Sequence, residues 1–414
     1  MTASAASQWS PDLAWVLDAL WGHSGDVQVS PLGEVPAHRR TVDSFALFPT
    51  PTRPRLMVPL GSGRAASQAL HDHATHKKVV RMAKPVLARA LRSGLARRLV
   101  RHGVTVSVAG DTQSEALPGL LLKEHLREVI GRRDIETAVK FNAKPPHRKP
   151  TLQVLGGDGQ VLAYVKVGWN ELTRELVRTE ARALAQLTGP QTQVGRFEVP
   201  RVIHAGSWRG LELLALEPLA RGPWYRRRPP LRTSPSTATA EIASLGETTR
   251  APLGESEFWK ATSERIARTE QILDQPSPLA PAAERLERLF GETPLSFGWW
   301  HGDWVPWNMG HVRDRLYVWD WERSGPLAPI GLDDIHFEYQ AALGISKLSP
   351  PAAADHVLER PQSSLSALGL PEALRPLLLC LHLLEMSLRF EEGRAAGVDI
   401  VDLKYRPVLE KLFE

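Results

Sequence analysis

His301-Gly302-Asp303-Trp304-Val305-Pro306-Trp307-Asn308, followed by Tyr317-Val318-Trp319-Asp320-Trp321-Glu322, is the stretch that decides how the chain is read. Asp303 offers a carboxylate, and Asn308 offers an amide oxygen one short loop later. Asp320 adds a second carboxylate at the end of a β-like run, Leu316-Tyr317-Val318-Trp319-Asp320. Phosphoryl transfer asks little covalent work of a protein. It needs an acceptor oxygen held in line and metal ions that neutralise the phosphates. Asp303 is suited to orient a hydroxyl and take its proton. Asn308 and Asp320 supply the hard oxygen donors that magnesium prefers.

HGDWVPWN resembles the catalytic loop of the aminoglycoside phosphotransferase and choline kinase family, HGDxxxxN, and matches every fixed position. In that family a short strand ending in aspartate follows the loop, and here VWDWE stands where protein kinases have DFG. The resemblance covers roughly residues 132–410. It implies an α+β, protein-kinase-like two-lobe fold, with a small β-rich lobe before a helical one. The activity implied is transfer of the ATP γ-phosphate to a hydroxyl of a small molecule. Asp303 becomes the catalytic aspartate, and Asn308 and Asp320 the metal ligands. ATP and Mg2+ are the implied cofactors, with GTP left open because hinge recognition uses backbone groups.

The kinase plan also needs a lysine on the third strand of the small lobe and a helix glutamate to hold it. Lys166 sits in Ala163-Tyr164-Val165-Lys166-Val167, flanked by apolar residues. In the helix that follows, Glu180 falls on the apolar stripe Leu172, Leu176, Leu184 and Leu187, whereas Glu175 lies well round from it. A charge on a buried face is costly unless paired, so Glu180 is the expected partner. Leu213 to Leu219 (LLALEPL) resembles the strand and hinge that read adenine, with Glu217 and Leu219 as the contacts. Lys144 to Pro150 stands where kinases carry a glycine-rich hairpin and contains no glycine.

Working outward, residues 1–118 lie outside the resemblance and are expected as an N-terminal α/β extension of unknown role. Residues 119–220 read as small lobe and hinge, 221–255 as a loop or insert, and 256–414 as the helical lobe with the catalytic loop. Gly156-Gly157-Asp158-Gly159 predicts a hairpin turn between two strands. Gly61-Ser62-Gly63 to Ala66 fits a loose dinucleotide-binding pattern, but no supporting βαβ unit is visible. Asp333 and Asp334 are expected to cap a helix running through Phe337.

Bulk composition narrows the partners. A net charge of +5 suits an anionic nucleotide but is too mild to indicate a polyanion. The basic segment 77–101 contains no aromatic residue for base stacking, so a nucleic-acid partner is not expected. A single cysteine, Cys380, suits a reducing compartment. With neither a membrane span nor a signal peptide visible, a soluble cytoplasmic protein is expected, with a small-molecule acceptor and no membrane partner. Two other readings stay in view: a non-catalytic, nucleotide-binding regulatory protein of kinase fold, and a nucleic-acid binder through residues 77–101. Trp224 to Pro229 carries Arg226, Arg227 and Arg228, which would favour a neutral or anionic acceptor if that loop faced a cleft.

Overall fold

The computed structural model describes residues 9–22, 25–73, 78–93, 100, 102–141, 149–189, 195–219, 231, 233–312, 315–359, 364–397 and 401–413, and statements below concern those. They form two compact units. One draws on Met1–Lys144, Arg148–Arg178 and Arg201–Pro218, and the other on Pro145–His147, Thr179–Pro200 and Leu219–Glu414. No helix among the described residues is long and apolar enough to cross a membrane.

The first unit opens with helix α1 (Pro11–Trp21). Strands β1 (Val27–Pro31), β2 (Arg39–Phe48) and β3 (Leu56–Pro59) follow, then helices α2 (Gly63–Asp72) and α3 (Lys78–Arg92). Next come β4 (Gly103–Ala109), the short α4 (Leu117–Leu120) and α5 (Leu122–Ile130). Strands β5 (Ile135–Lys140), β6 (Thr151–Gly156) and β7 (Val161–Gly168) lead into α6 (Glu171–Leu187), whose residues from Thr179 onward belong to the second unit. After β8 (Phe197–Glu198), which belongs to the second unit, β9 (Val202–Trp208) and β10 (Leu211–Leu216) complete the set.

Nine of these strands make one sheet in the order β1-β4-β2-β3-β5-β6-β7-β10-β9, and every pairing in it is antiparallel. Alternate side chains point to opposite faces, and the core divides accordingly. Met57, Val139 and Val154 join a cluster with Leu13, Val16, Leu17 and Leu20 of α1 and Leu122 and Leu126 of α5. Leu56, Val58, Ala138 and Leu155 join another, with Ala65, Ala66, Ala69 and Leu70 of α2 and Leu91 of α3. The spacing of Leu13, Val16, Leu17 and Leu20 is the one that lays a single helix stripe against a sheet.

Strands β1 to β4 of the N-terminal region are thus part of the same sheet as the expected small-lobe strands, because β3 pairs with β5 through Leu56↔Lys140 and Met57↔Val139. Asp43 of β2 is buried and paired with Lys123 of α5. Burial raises its carboxyl to about 6 even so. The Gly61-Ser62-Gly63 stretch belongs to no βαβ unit, since β3 is antiparallel to both neighbours. Ser62 serves α2 instead: its Oγ accepts the Ala65 N–H at 3.3 Å and donates to the Gly157 carbonyl at 2.8 Å. The hairpin between β6 and β7 forms with Gly159 at φ 88° and its N–H on the Gly156 carbonyl at 2.8 Å.

The second unit continues through α7 (Ser236–Ala243), β11 (Thr249–Pro252), α8 (Glu257–Leu273), α9 (Ala280–Phe290) and β12 (Pro294–Trp300). It then runs through β13 (Met309–Val312), β14 (Arg315–Val318), β15 (Gly325–Pro329) and α10 (Leu332–Gly344). The last helices are α11 (Pro350–Leu358), α12 (Ser364–Ala367), α13 (Arg375–Ala395) and α14 (Arg406–Lys411). Two three-stranded sheets, β11-β12-β15 and β13-β14-β8, flank the segment from His301 to Asn308. The first half of helix α13 is apolar nearly all round, with Leu377, Leu378, Leu379, Leu381, Leu383 and Leu384 buried, the pattern of a helix segment enclosed by its neighbours.

Residues 221–255 are not one long loop. Although 220–230 and 232, including Arg226 to Arg228, lie outside the described residues, the remainder contains α7 and β11. The serine- and threonine-rich composition suggests solvent, but Ser234, Ser236 and Thr239 all donate to the buried Asp334 carboxylate, at 2.6, 2.8 and 2.7 Å.

Candidate active site

The loop from His301 to Asn308 joins β12 to β13 and is held by its backbone. Asp333 of α10 accepts the His301 N–H on one carboxylate oxygen at 2.7 Å and the Gly302 N–H on the other at 3.0 Å. Neither Asp333 nor Asp334 caps α10, whose N-cap is Gly331 with no side-chain cap bond. The two aspartates anchor other segments, which corrects the capping expectation. Burial pushes the Asp333 carboxyl up to about 7, against the two backbone donors that favour the anion. Gly302 adopts φ 78°, and a Cβ there would stand 2.2 Å from the Arg323 carbonyl oxygen, so glycine is required. Arg389 of α13 donates to the Gly302 carbonyl at 2.9 Å.

His301 is fully buried. Its Nε2 faces the Trp319 carbonyl at 3.1 Å, and its Nδ1 accepts the Asp303 N–H at 3.1 Å. The two contacts specify a neutral ring protonated on Nε2. Burial agrees, lowering its pKa to about 4.

Asp303 is held at both carboxylate oxygens. Asn308 Nδ2 donates to Oδ2 at 2.7 Å, and His336 Nε2 contacts Oδ1 at 3.2 Å. The side chain nevertheless keeps 37% exposure, so a reactant can approach it. Burial of its surroundings raises the Asp303 pKa, but the His336 hydrogen bond and the Arg389 guanidinium outweigh that and leave it below the ordinary carboxylate range. The group is therefore an anion at neutral pH.

Asp320 sits at φ 68°, a left-handed conformation that aspartate and asparagine tolerate better than most residues. One carboxylate oxygen from each of Asp320, Glu180 and Glu322 lies within 4.8 Å of the others. Glu180, from α6, is fully buried, whereas Glu175 is exposed. Three hard oxygen donors of this kind fit Mg2+. The structure thus brings Asp320 together with Glu180 and Glu322, and Asn308 together with Asp303. Glu322 went unassigned in the sequence although it lies two residues from Asp320.

Lys166 lies on β7 of the first unit, opposite Thr151 and Leu214, at 9% exposure. Glu217 follows β10 in the same unit. It is exposed, and its N–H donates to the Arg201 carbonyl at 2.9 Å. Leu219 is half-buried in the second unit. Of the stretch Lys144 to Pro150, residues 144–148 lie outside the described residues.

Six of the 13 tryptophans fall between Trp299 and Trp321. Trp304 and Trp321 are fully buried and pack the loop, with Trp321 stacked on Phe197 at 5.7 Å and Trp304 Nε1 donating to Ser234 Oγ at 3.1 Å. Trp307 is half exposed. His336 and His382 were not singled out in the sequence. One signal was available: His382 interrupts the apolar run Pro376 to Leu384, and a buried polar group demands a partner.

No protein-family model and no curated protein matches the chain. Similar solved structures include a putative fructosamine-3-kinase from Haemophilus somnus, with 14% identity over 71% of this chain and 97% of that one, at a TM-score of 0.38. An amicoumacin kinase in complex with AMP-PNP, Ca2+ and Ami is 12% identical over 66% of this chain and 86% of that one, at a TM-score of 0.37. A macrolide 2'-phosphotransferase type I is 15% identical over 68% and 97%, at a TM-score of 0.36. At these values the likeness stands beside the site geometry and does not assign any residue a role.

Proposed function

We propose that this protein is an ATP-dependent phosphotransferase that moves the γ-phosphoryl group to a hydroxyl of a small molecule. The observation that carries the proposal is Asp303: an anionic carboxylate open to solvent, with one oxygen tied to Asn308 and the other to His336. Both ties leave the carboxylate further lone pairs. In this role Asp303 orients the acceptor hydroxyl and takes its proton as the new O–P bond forms and the bond from Pγ to the ADP oxygen breaks. Asn308 and His336 keep the carboxylate in one orientation, and Asp333 keeps the loop backbone in place.

Glu180, Asp320 and Glu322 would hold magnesium, with the Asn308 side-chain oxygen as a further donor, and the ion would neutralise phosphate charge. Lys166, Glu217 and Leu219 take the phosphate and adenine contacts that the family resemblance implies, and GTP remains an alternative donor.

Thermal melting with MgATP, MgGTP and no nucleotide, on wild type and Asp320→Ala, tests the binding half. Selective binding stabilises by ~2.7 kcal/mol at a hundred times the dissociation constant. A magnesium-dependent rise that Asp320→Ala weakens supports the proposal. No rise with either nucleotide at millimolar concentration defeats it.

A further inference from the structure

Behind Asp303 lies a buried pair of histidines that the phosphotransfer chemistry does not itself require. His336 on α10 and His382 on α13 are 3% and 2% exposed. Their rings meet edge to face at 4.9 Å, and their Nδ1 atoms are 3.4 Å apart, at the long end of hydrogen bonding. His336 Nε2 points to Asp303 Oδ1 at 3.2 Å. The far side of His382 is covered by the rings of Tyr339 and Tyr405, at 5.3 and 6.1 Å. Its Nε2 is buried and has no hydrogen-bond partner among the described residues.

These contacts fix where the protons are. An ionised carboxylate only accepts, so His336 Nε2 carries a hydrogen. In a neutral ring that leaves His336 Nδ1 as an acceptor. Two lone pairs cannot face each other in a hydrogen bond, so His382 Nδ1 carries a hydrogen and donates it. The lone pair of His382 Nε2 then faces the apolar side, where a missing partner costs less than a buried N–H or a charge. The charged groups facing the pair are Asp303 from the loop and Arg389 and Glu385 from α13, and the last two are bound to each other at 2.8 Å. Burial lowers the pKa of both imidazoles, most strongly at His382, while Asp303 opposes the shift at His336. The pair is therefore neutral at pH 7.

We infer, resting on the phosphotransfer reading of Asp303, that His336 is a positioning residue for that carboxylate and that His382 fixes the tautomer in which it acts. A neutral donor orients Asp303 without cancelling its charge, so the carboxylate stays basic. Asn308 alone would fix one oxygen and leave the plane of the group free to turn. Misplacement of a reacting group by a fraction of a bond length is enough to slow catalysis severely.

Two measurements on the full chain test this. The first is long-range 1H–15N NMR of histidine-labelled protein at pH 7, with the two rings assigned through His336→Gln and His382→Leu. His336 is expected as the Nε2–H tautomer and His382 as the Nδ1–H tautomer. The reverse tautomers, or a doubly protonated His336, would overturn the inference. The second is ADP release from MgATP with water as acceptor. His336→Leu should lower kcat by roughly 10- to 100-fold with KM for MgATP within about twofold of wild type. His336→Gln, whose Nε2–H reaches the same oxygen, should recover most of the rate. Equal losses in the two variants, or none in His336→Leu, would refute the positioning role, and melting of each variant separates misfolding from either result. The expected tautomers without ADP release from wild type would defeat the phosphotransfer reading and the positioning role together. Other tautomers with ADP release would defeat only the His336–His382 assignment.

Discussion

Asn308 donates its side-chain N–H to Asp303 Oδ2 at 2.7 Å and again to the Asp303 carbonyl oxygen at 3.1 Å. The residue at the end of the HGDxxxxN loop therefore clamps the residue near its start. A hydrogen bond to a charged group contributes about 1.5–3 kcal/mol. Asn308→Ala should accordingly cut phosphotransfer by roughly 10- to 100-fold, read as the rate of ADP formation. Asn308→Asp should be worse, because two carboxylates would then face each other.

Gly302 tests the backbone half of the same loop. At φ 78°, with the Arg323 carbonyl 2.2 Å from any added Cβ, Gly302→Ala meets both strain and collision. Strain of this kind alone costs about 1–3 kcal/mol, and the collision adds to it. Urea denaturation should show a midpoint well below wild type. A wild-type midpoint would mean that the loop can relax freely.

The left-handed backbone of Asp320 allows a substitution that separates charge from conformation. Asparagine tolerates φ 68° as aspartate does, so Asp320→Asn should keep the fold and lose one of the carboxylates grouped with Glu180 and Glu322. The melting temperature without ligand should stay near wild type, while the magnesium-dependent rise with ATP should shrink. An undiminished rise would remove Asp320 from the metal site.

Much of this was legible locally. Strands β5 to β7, β9 and β10 show apolar, β-branched runs between glycine and proline breaks. Glu180 stands out because it interrupts a helical apolar stripe, and His301 to Asn308 is a dense local motif. What stayed hidden depends on distant partners. Strand β2 is obscure because its buried Asp43 is a charge whose partner, Lys123, comes 80 residues later. Helix α7 looks like a polar loop until Asp334 arrives to accept its hydroxyls. The Asp303–His336–His382 chain joins three segments that no spacing rule links.

Buried histidines give the pH dependence a definite sign. Burial holds His301 at about 4 and lowers His336 and His382 from the ordinary value of 6.5. Between those values the unfolded chain binds protons that the folded chain does not. Their contribution is thus complete above pH 6.5 and is lost as pH falls toward the folded values. Asp333, raised to about 7, has the opposite sign, since its contribution is lost as pH rises toward 7. Comparison with His382→Leu isolates the His382 part: the variant's melting temperature should fall less steeply than wild type between pH 7 and pH 5. Parallel curves would mean that His382 is not held neutral.

Asp303→Asn removes the carboxylate proposed to take the acceptor's proton with almost no change in shape. ADP formation from MgATP should be measured for wild type and variant, first with water and then with a panel of neutral, anionic and cationic hydroxyl compounds. The variant should still bind MgATP, as shown by melting, and lose at least about 100-fold in rate. Turnover at the wild-type rate in Asp303→Asn would contradict the role proposed for that carboxylate.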